Sequence, residues 1–171
     1  MYANGADIFR LLASREERAY VQRLLMSCAG TDFVIQISLN LPGLPKNVPD
    51  DSEAISFASG VLIDRLGIFP SASVQLRNHA GFACLMSFRG DAGRAKKTAV
   101  SVEEDADWGR VFDIDVMTAE GILSGSDFGR PQRKCFLCGE SAKVCARTGT
   151  HDMEELREEA LRLLALARPR P

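Results

Sequence analysis

Asp113 and Asp115 stand two residues apart in Gly109-Arg110-Val111-Phe112-Asp113-Ile114-Asp115-Val116, with apolar residues alternating around them. The alternation predicts a β-strand, in which side chains two apart leave from the same face. Phe112, Ile114 and Val116 would then enter a core while both acids point together toward solvent or a ligand. Like charges held side by side repel unless a cation or a proton compensates. Mg²⁺ suits that position, because it takes one or two carboxylates and leaves its other sites to water and substrate phosphate. Asp113 and Asp115 are therefore candidate Mg²⁺ ligands for metal-assisted phosphoryl or nucleotidyl transfer. A solvated strand face is the competing reading of so short a motif.

A second cluster is Cys135-x-x-Cys138, followed by Cys145 and His151, in a segment (134–151) rich in small and polar residues. Cys-x-x-Cys sets two thiolates on one tight turn, and three thiolates with an imidazole can close a tetrahedral structural Zn²⁺ site. The later spacings differ from those of the common zinc fingers. Buried reduced cysteines packing a loop, or a redox pair, remain open alternatives. Cys28 and Cys84 fall among apolar neighbours and read as core residues. His79, within Asn78-His79-Ala80-Gly81, reads as a turn residue.

These groups need a frame. The 171 residues suit one domain, 1–171, with one main hydrophobic core. A net charge of -2 lacks the basic excess of a general nucleic-acid binder, so any anionic ligand must be held by a local cluster of cations. No apolar stretch reaches the length of a membrane span, and no basic region followed by an apolar run opens the chain. A cytoplasmic protein with no nucleic-acid or membrane partner is expected. Five cysteines without an export signal argue against a disulfide framework.

Helical spacing predicts a helix over Ser14 to Ala29, capped by Ser14, stopped by Gly30, and exposing Arg15, Arg18 and Gln22. Asp32 to Leu41 alternates as a strand and breaks at Pro42-Gly43-Leu44-Pro45-Lys46. Glu53 to Leu66 predicts a second helix ending at Gly67. Two strands follow, Ser73 to Arg77 and Phe82 to Phe88. Ala92 to Glu104 fits helix or strand and is read as helix. Asp152 to Ala167 predicts a C-terminal amphipathic helix with Asp152 and Glu155 as a capping box. Arg168 to Pro171 reads as a frayed tail. The fold class expected is α+β, a mixed sheet flanked by helices.

The motifs are jointly more specific than any one of them. Arg15-x-x-Arg18-x-x-x-Gln22, Leu39-Asn40-Leu41-Pro42-Gly43-x-x-Lys46, Gly109-Arg110-x-x-Asp113-Ile114-Asp115-Val116, and Arg133-x-Cys135-x-x-Cys138 through Cys145-Ala146-Arg147 to His151 and Glu155-Leu156 follow one another along nearly the whole chain. In that order they resemble the apo-citrate lyase phosphoribosyl-dephospho-CoA transferase family, also called holo-citrate lyase synthase. The resemblance implies a nucleotidyltransferase-type reaction. In it, 2'-(5''-triphosphoribosyl)-3'-dephospho-CoA gives its phosphoribosyl-dephospho-CoA part to a serine of the apo acyl carrier (gamma) subunit of citrate lyase, and diphosphate leaves.

For the site it implies Asp113 and Asp115 as catalytic metal ligands, with Glu103 as a third carboxylate or base. Arg15, Arg18, Lys46, Arg110 and Arg133 would gather the donor's phosphates, Asn40 would orient a ribose or phosphate oxygen, and Gly43 would let backbone N–H groups approach. The chain departs from the family pattern at Ala106, where a histidine is frequent, and at Ser124-Gly125, where Ser-Arg is usual. Kinship to the nucleotidyltransferase superfold rests on reaction type. A dehalogenase-type phosphatase would need Gly-Thr where Val116-Met117 stand. Two further alternatives are the same chemistry on the malonate decarboxylase carrier and a non-catalytic, zinc-stabilised partner-binding protein.

Overall fold

The computed structural model describes residues 5–104, 106–129 and 132–167. The expected tail from Arg168 onward lies outside them. Five α-helices and five strands occur among the described residues, in the order α1 (Gly5–Ser27), β1 (Phe33–Leu39), α2 (Asp51–Leu66), β2 (Ala72–Asn78), β3 (Gly81–Phe88), α3 (Ala92–Glu104), β4 (Phe112–Thr118), β5 (Gly121–Ile122), α4 (Ala142–Thr148) and α5 (Met153–Leu164). The class is α+β, as expected. The sheet, ordered β2-β3-β1-β4-β5, is antiparallel at every pairing, which corrects the expected mixed sheet. β2 and β3 are joined by a two-residue turn, and antiparallel neighbours need no crossover helix.

Alternation sorts the two faces of the sheet. Phe33, Ile35 and Ile37 of β1, Cys84, Met86 and Phe88 of β3, and Phe112, Ile114 and Val116 of β4 form the main core with α2, α3 and α5. The opposite face carries Val34, Leu85 and Met117 under Leu25 and Val21 of α1. Side chains two apart share a face, so Asp113 and Asp115 stand on the α1 side, paired in register with Ser38 and Gln36. Gln36 is buried there and accepts a hydrogen bond from Gln22 Nε2 of α1 at 2.9 Å.

The first helix corrects the sequence reading most. α1 begins at Gly5, so Ser14 is no N-cap. It is buried in mid-helix, and its Oγ accepts from the backbone N–H of His79. Arg18, one turn on, is buried rather than exposed. Its Nη2 donates to the carbonyls of Ala80 and Gly81 at 2.9 and 2.8 Å, pinning α1 to the β2–β3 turn. Hydrophobicity alone did not reveal this start, because polar side chains make the contacts. α2 ends as expected at Gly67, whose left-handed φ of 68° lets its N–H return to Ile63 O. In α5, Asp152 caps Glu154 N, and Leu163 and Leu164 close the core from beneath.

β4 pairs with β5 only at its far end, through Met117 and Thr118, so the earlier half presents an open edge. α3 covers that edge with two buried charged side chains. Glu103 Oε1 accepts the N–H of Ile114 at 3.1 Å, and Lys96 Nζ donates to Ile114 O at 3.1 Å. The backbone polar groups that an edge strand leaves unpaired are satisfied in this way.

Candidate active site

Where β1 ends and β4 begins, a cleft of about 520 Å³ opens. Asn40, Leu41, Pro42, Gly43 and Lys46 form one wall, running from the end of β1 into the proline turn. Glu103, Glu104 and Arg110 form the floor. Arg133 to Phe136, with Ala142, Cys145 and Ala146, form the opposite wall, and Met153 and Leu156 of α5 close the cleft.

Each wall is held by identifiable contacts. The proline turn is fastened by α5, because Arg157 donates to Pro42 O at 2.8 Å and to Pro45 O at 2.7 Å. Gly43 has a positive φ of 65°, a backbone state that disfavours side chains, with Met153 packed against it. Lys46 Nζ donates to Leu41 O. Burial holds the Lys46 ammonium below its ordinary range, and the positive charges of Arg157 and Arg15 push the same way. An anion entering the cleft would relieve all three effects.

Arg110 lies in a short 3-10 turn, Asp107–Val111. The glycine before it is obligatory: a Cβ on Gly109 would stand 2.3 Å from the carbonyl oxygen of Val102, so the turn can pack against α3 only without a side chain. Arg110 Nη2 donates to Cys135 O at 2.5 Å, and its guanidinium lies 5.7 Å from the centre of the Phe136 ring. Arg133 bridges two acids: its Nη2 is 2.5 Å from Glu103 Oε1 and 2.7 Å from Asp113 Oδ1. It also donates to Phe112 O at 3.3 Å, at the open edge of β4. Asp113 thus reaches the cleft through Arg133.

The structure therefore brings Asn40, Gly43, Lys46, Glu103, Arg110 and Arg133 to one cleft, with Asp113 at its margin and Asp115 beyond it on the same strand face. Arg15 stays exposed on α1, near enough to Lys46 to influence it. Arg18 does not line the cleft. Burial depresses the ionisation range of its guanidinium, as does the neighbouring charge of Arg15. Among the features not singled out from the sequence are the apolar lining, Leu41, Phe136, Met153 and Leu156, and the clamp from Arg157. The apolar lining residues come from separate segments whose spacing carries no common period.

The Cys/His cluster abuts the far wall. Cys135, Cys138, Cys145 and His151 present ligand atoms all within 4.8 Å of one another. Among the described residues it is the one convergent group of three or more such side chains, so it can hold a metal such as zinc. Burial opposes ionisation of Cys135, but the N–H groups of Leu137 and Cys138 and the thiols of Cys138 and Cys145 outweigh it and draw that thiol below its ordinary range. Burial, with the adjoining Cys138 and Cys135 sulfurs, pushes Cys145 up to about 11.

Fold and cleft together describe an α+β protein with a cation-rich, partly apolar cleft set between an acidic strand and a four-ligand cluster. Comparison with known proteins gives this arrangement its family. The profile of apo-citrate lyase phosphoribosyl-dephospho-CoA transferase matches residues 6–166, and the chain belongs to that family. Proteins named apo-citrate lyase phosphoribosyl-dephospho-CoA transferase from Escherichia coli and Shigella boydii are each 34% identical over 168 residues, covering 92% of this chain and 89% of theirs. Protein CitXG of Haemophilus influenzae is 31% identical over 150 residues, 85% of this chain, and the match spans 32% of its length. Among the described residues no helix is long and apolar enough to cross a membrane.

Proposed function

We propose that this protein transfers the phosphoribosyl-dephospho-CoA part of 2'-(5''-triphosphoribosyl)-3'-dephospho-CoA to a serine of the apo acyl carrier (gamma) subunit of citrate lyase, releasing diphosphate. The observation that carries this reading is the meeting of Lys46, Arg110 and Arg133 on one cleft beside Asp113, in a chain of this family. A triphosphate joined to a CoA-type group brings many negative charges to a chain whose net charge is only -2, so its cations must act locally.

In the reaction, the serine oxygen bonds to the α-phosphorus, the bond from that phosphorus to the diphosphate oxygen breaks, and the hydroxyl proton is lost. Arg110 and Arg133 offer planar forks to phosphate oxygens, and Lys46 acts as a point charge. Asn40 orients a ribose or phosphate oxygen. Gly43 gives the ligand close access to backbone. Leu41, Phe136, Met153 and Leu156 cover the apolar portions of the donor. Arg15 attracts phosphate from the rim, whereas Arg18 contributes by fixing α1.

The exposed Asp113 carboxylate and the half-buried Asp115 share one strand face, and their hard oxygens fit Mg²⁺. They would hold the ion, which supplies neutralisation of phosphate charge and of the departing diphosphate. Glu103 lines the cleft, but its Oε1 already accepts from Ile114 N and Arg133, so it serves by positioning Arg133 rather than as the base.

Diphosphate release tests the reading. The full chain, the donor, Mg²⁺ and the apo carrier of citrate lyase should release diphosphate in proportion to carrier consumed. Release only with the malonate decarboxylase carrier would reassign the partner, and release with neither would overturn the proposal.

A further inference from the structure

The segment from Arg133 to His151 contributes a single short helix, α4, and little apolar burial, yet it forms a whole wall of the cleft. Its backbone ties are few. Cys135 N donates to Glu140 O and Ala142 N to Arg133 O, both at 2.8 Å, around an isolated bridge between Lys134 and Ser141. What gathers it is sulfur and imidazole. Cys138 Sγ lies 3.5 Å from Cys145 Sγ, and His151 Nε2 lies 3.2 Å from Cys138 Sγ. Those separations are close to the edges of a tetrahedron around zinc, which are about 3.6–3.8 Å when Zn–S is about 2.3 Å and Zn–N about 2.0 Å. Cys135 and Cys145 are buried, although thiols without a ligand gain little from lying together.

We propose that Cys135, Cys138, Cys145 and His151 bind one structural Zn²⁺, and that this ion clamps the segment so that Arg110 and Arg133 are held in the cleft. Four protein ligands leave no open position, so the site is structural rather than catalytic. The mechanical link is short. The carbonyl of the zinc ligand Cys135 accepts from Arg110 Nη2. The carbonyl of Arg133, two residues before Cys135, accepts from Ala142 in the turn that the ligands close. Binding of the metal displaces the thiol protons to solvent and replaces chain entropy that the small apolar content of the segment cannot offset. The inference does not depend on which reaction the cleft performs.

The test uses the full chain, with elemental analysis after dialysis against Zn²⁺-free buffer. About one Zn²⁺ per chain is expected, with loss in Cys138→Ser and retention in Cys28→Ser, whose thiol is exposed and remote. A measurement on the native sequence guards against a variant that fails to fold: Co²⁺ exchanged into the site should give the visible spectrum of a tetrahedral, thiolate-rich centre. Removing the metal should then speed amide hydrogen exchange at Cys135 and Ala142 at least tenfold. A native chain that holds no Zn²⁺ after loading, a Cys138–Cys145 disulfide in the freshly purified protein, or Zn²⁺ content unchanged in Cys138→Ser would overturn the site. Unchanged exchange at Cys135 and Ala142 would overturn the clamp.

Discussion

Arg133 Nη2 lies 2.5 Å from Oε1 of Glu103, a carboxylate almost fully sealed from solvent. The same oxygen accepts the N–H of Ile114, so one buried acid both closes the open edge of β4 and aims a cation at Asp113. Glu103→Ala should therefore lower stability by about 1–3 kcal/mol, the cost of leaving a buried donor unsatisfied. Glu103→Gln, which keeps an acceptor, should recover part of it. The urea unfolding midpoint reads both.

Arg18 and Arg110 separate support from ligand contact. Arg18 donates to two turn carbonyls and does not line the cleft, so Arg18→Ala should cost about 1–2 kcal/mol of stability while donor affinity of the folded protein stays unchanged. Arg110→Ala removes a guanidinium from the cleft and should weaken donor binding about ten- to hundredfold, the equivalent of one charge-assisted contact. Titration calorimetry of both variants distinguishes the two roles.

Gly109 has no room for a side chain. Gly109→Ala would push a methyl group into the carbonyl of Val102, and the shift must displace either α3 or the turn bearing Arg110. A loss of about 1–3 kcal/mol is expected from such overpacking, read by thermal or urea unfolding.

Lys46 makes the cleft sensitive to pH. Its folded ionisation range lies below the ordinary lysine value of 10.5, so between the two the unfolded chain binds more protons than the folded one. Stability from this group is then fully present above about 10.5, and falls as pH drops through the lowered folded value. Lys46→Met should flatten that dependence in urea titrations on the alkaline side. A bound polyphosphate should raise the Lys46 range again, so binding at alkaline pH should take up protons, seen calorimetrically in buffers of different ionisation enthalpy.

The parts of the molecule governed by local pattern were legible in the sequence. Phe112, Ile114 and Val116 are buried with Asp113 and Asp115 on the other face, as strict alternation requires. α3 runs from Ala92 to Glu104, and α2 stops at Gly67, as their patterns predict. The Cys-x-x-Cys pair does converge with Cys145 and His151. Features set by distant partners were not legible. Arg18 and Ser14 look like surface residues of a helix until the turn after β2 arrives to accept and donate their hydrogen bonds. The direction of the sheet pairings has no local signature, and neither does the cover that Lys96 and Glu103 give to the edge of β4.

The central claim is a phosphodiester made on the carrier, and intact mass spectrometry of the apo carrier subunit reads it directly. The carrier is incubated with the triphosphoribosyl-dephospho-CoA donor, Mg²⁺ and either the native chain or its Asp113→Asn/Asp115→Asn variant. The account predicts a mass gain equal to the donor less diphosphate with the native chain and none with the folded variant. No gain with the native chain, or an equal gain with the variant, would contradict it.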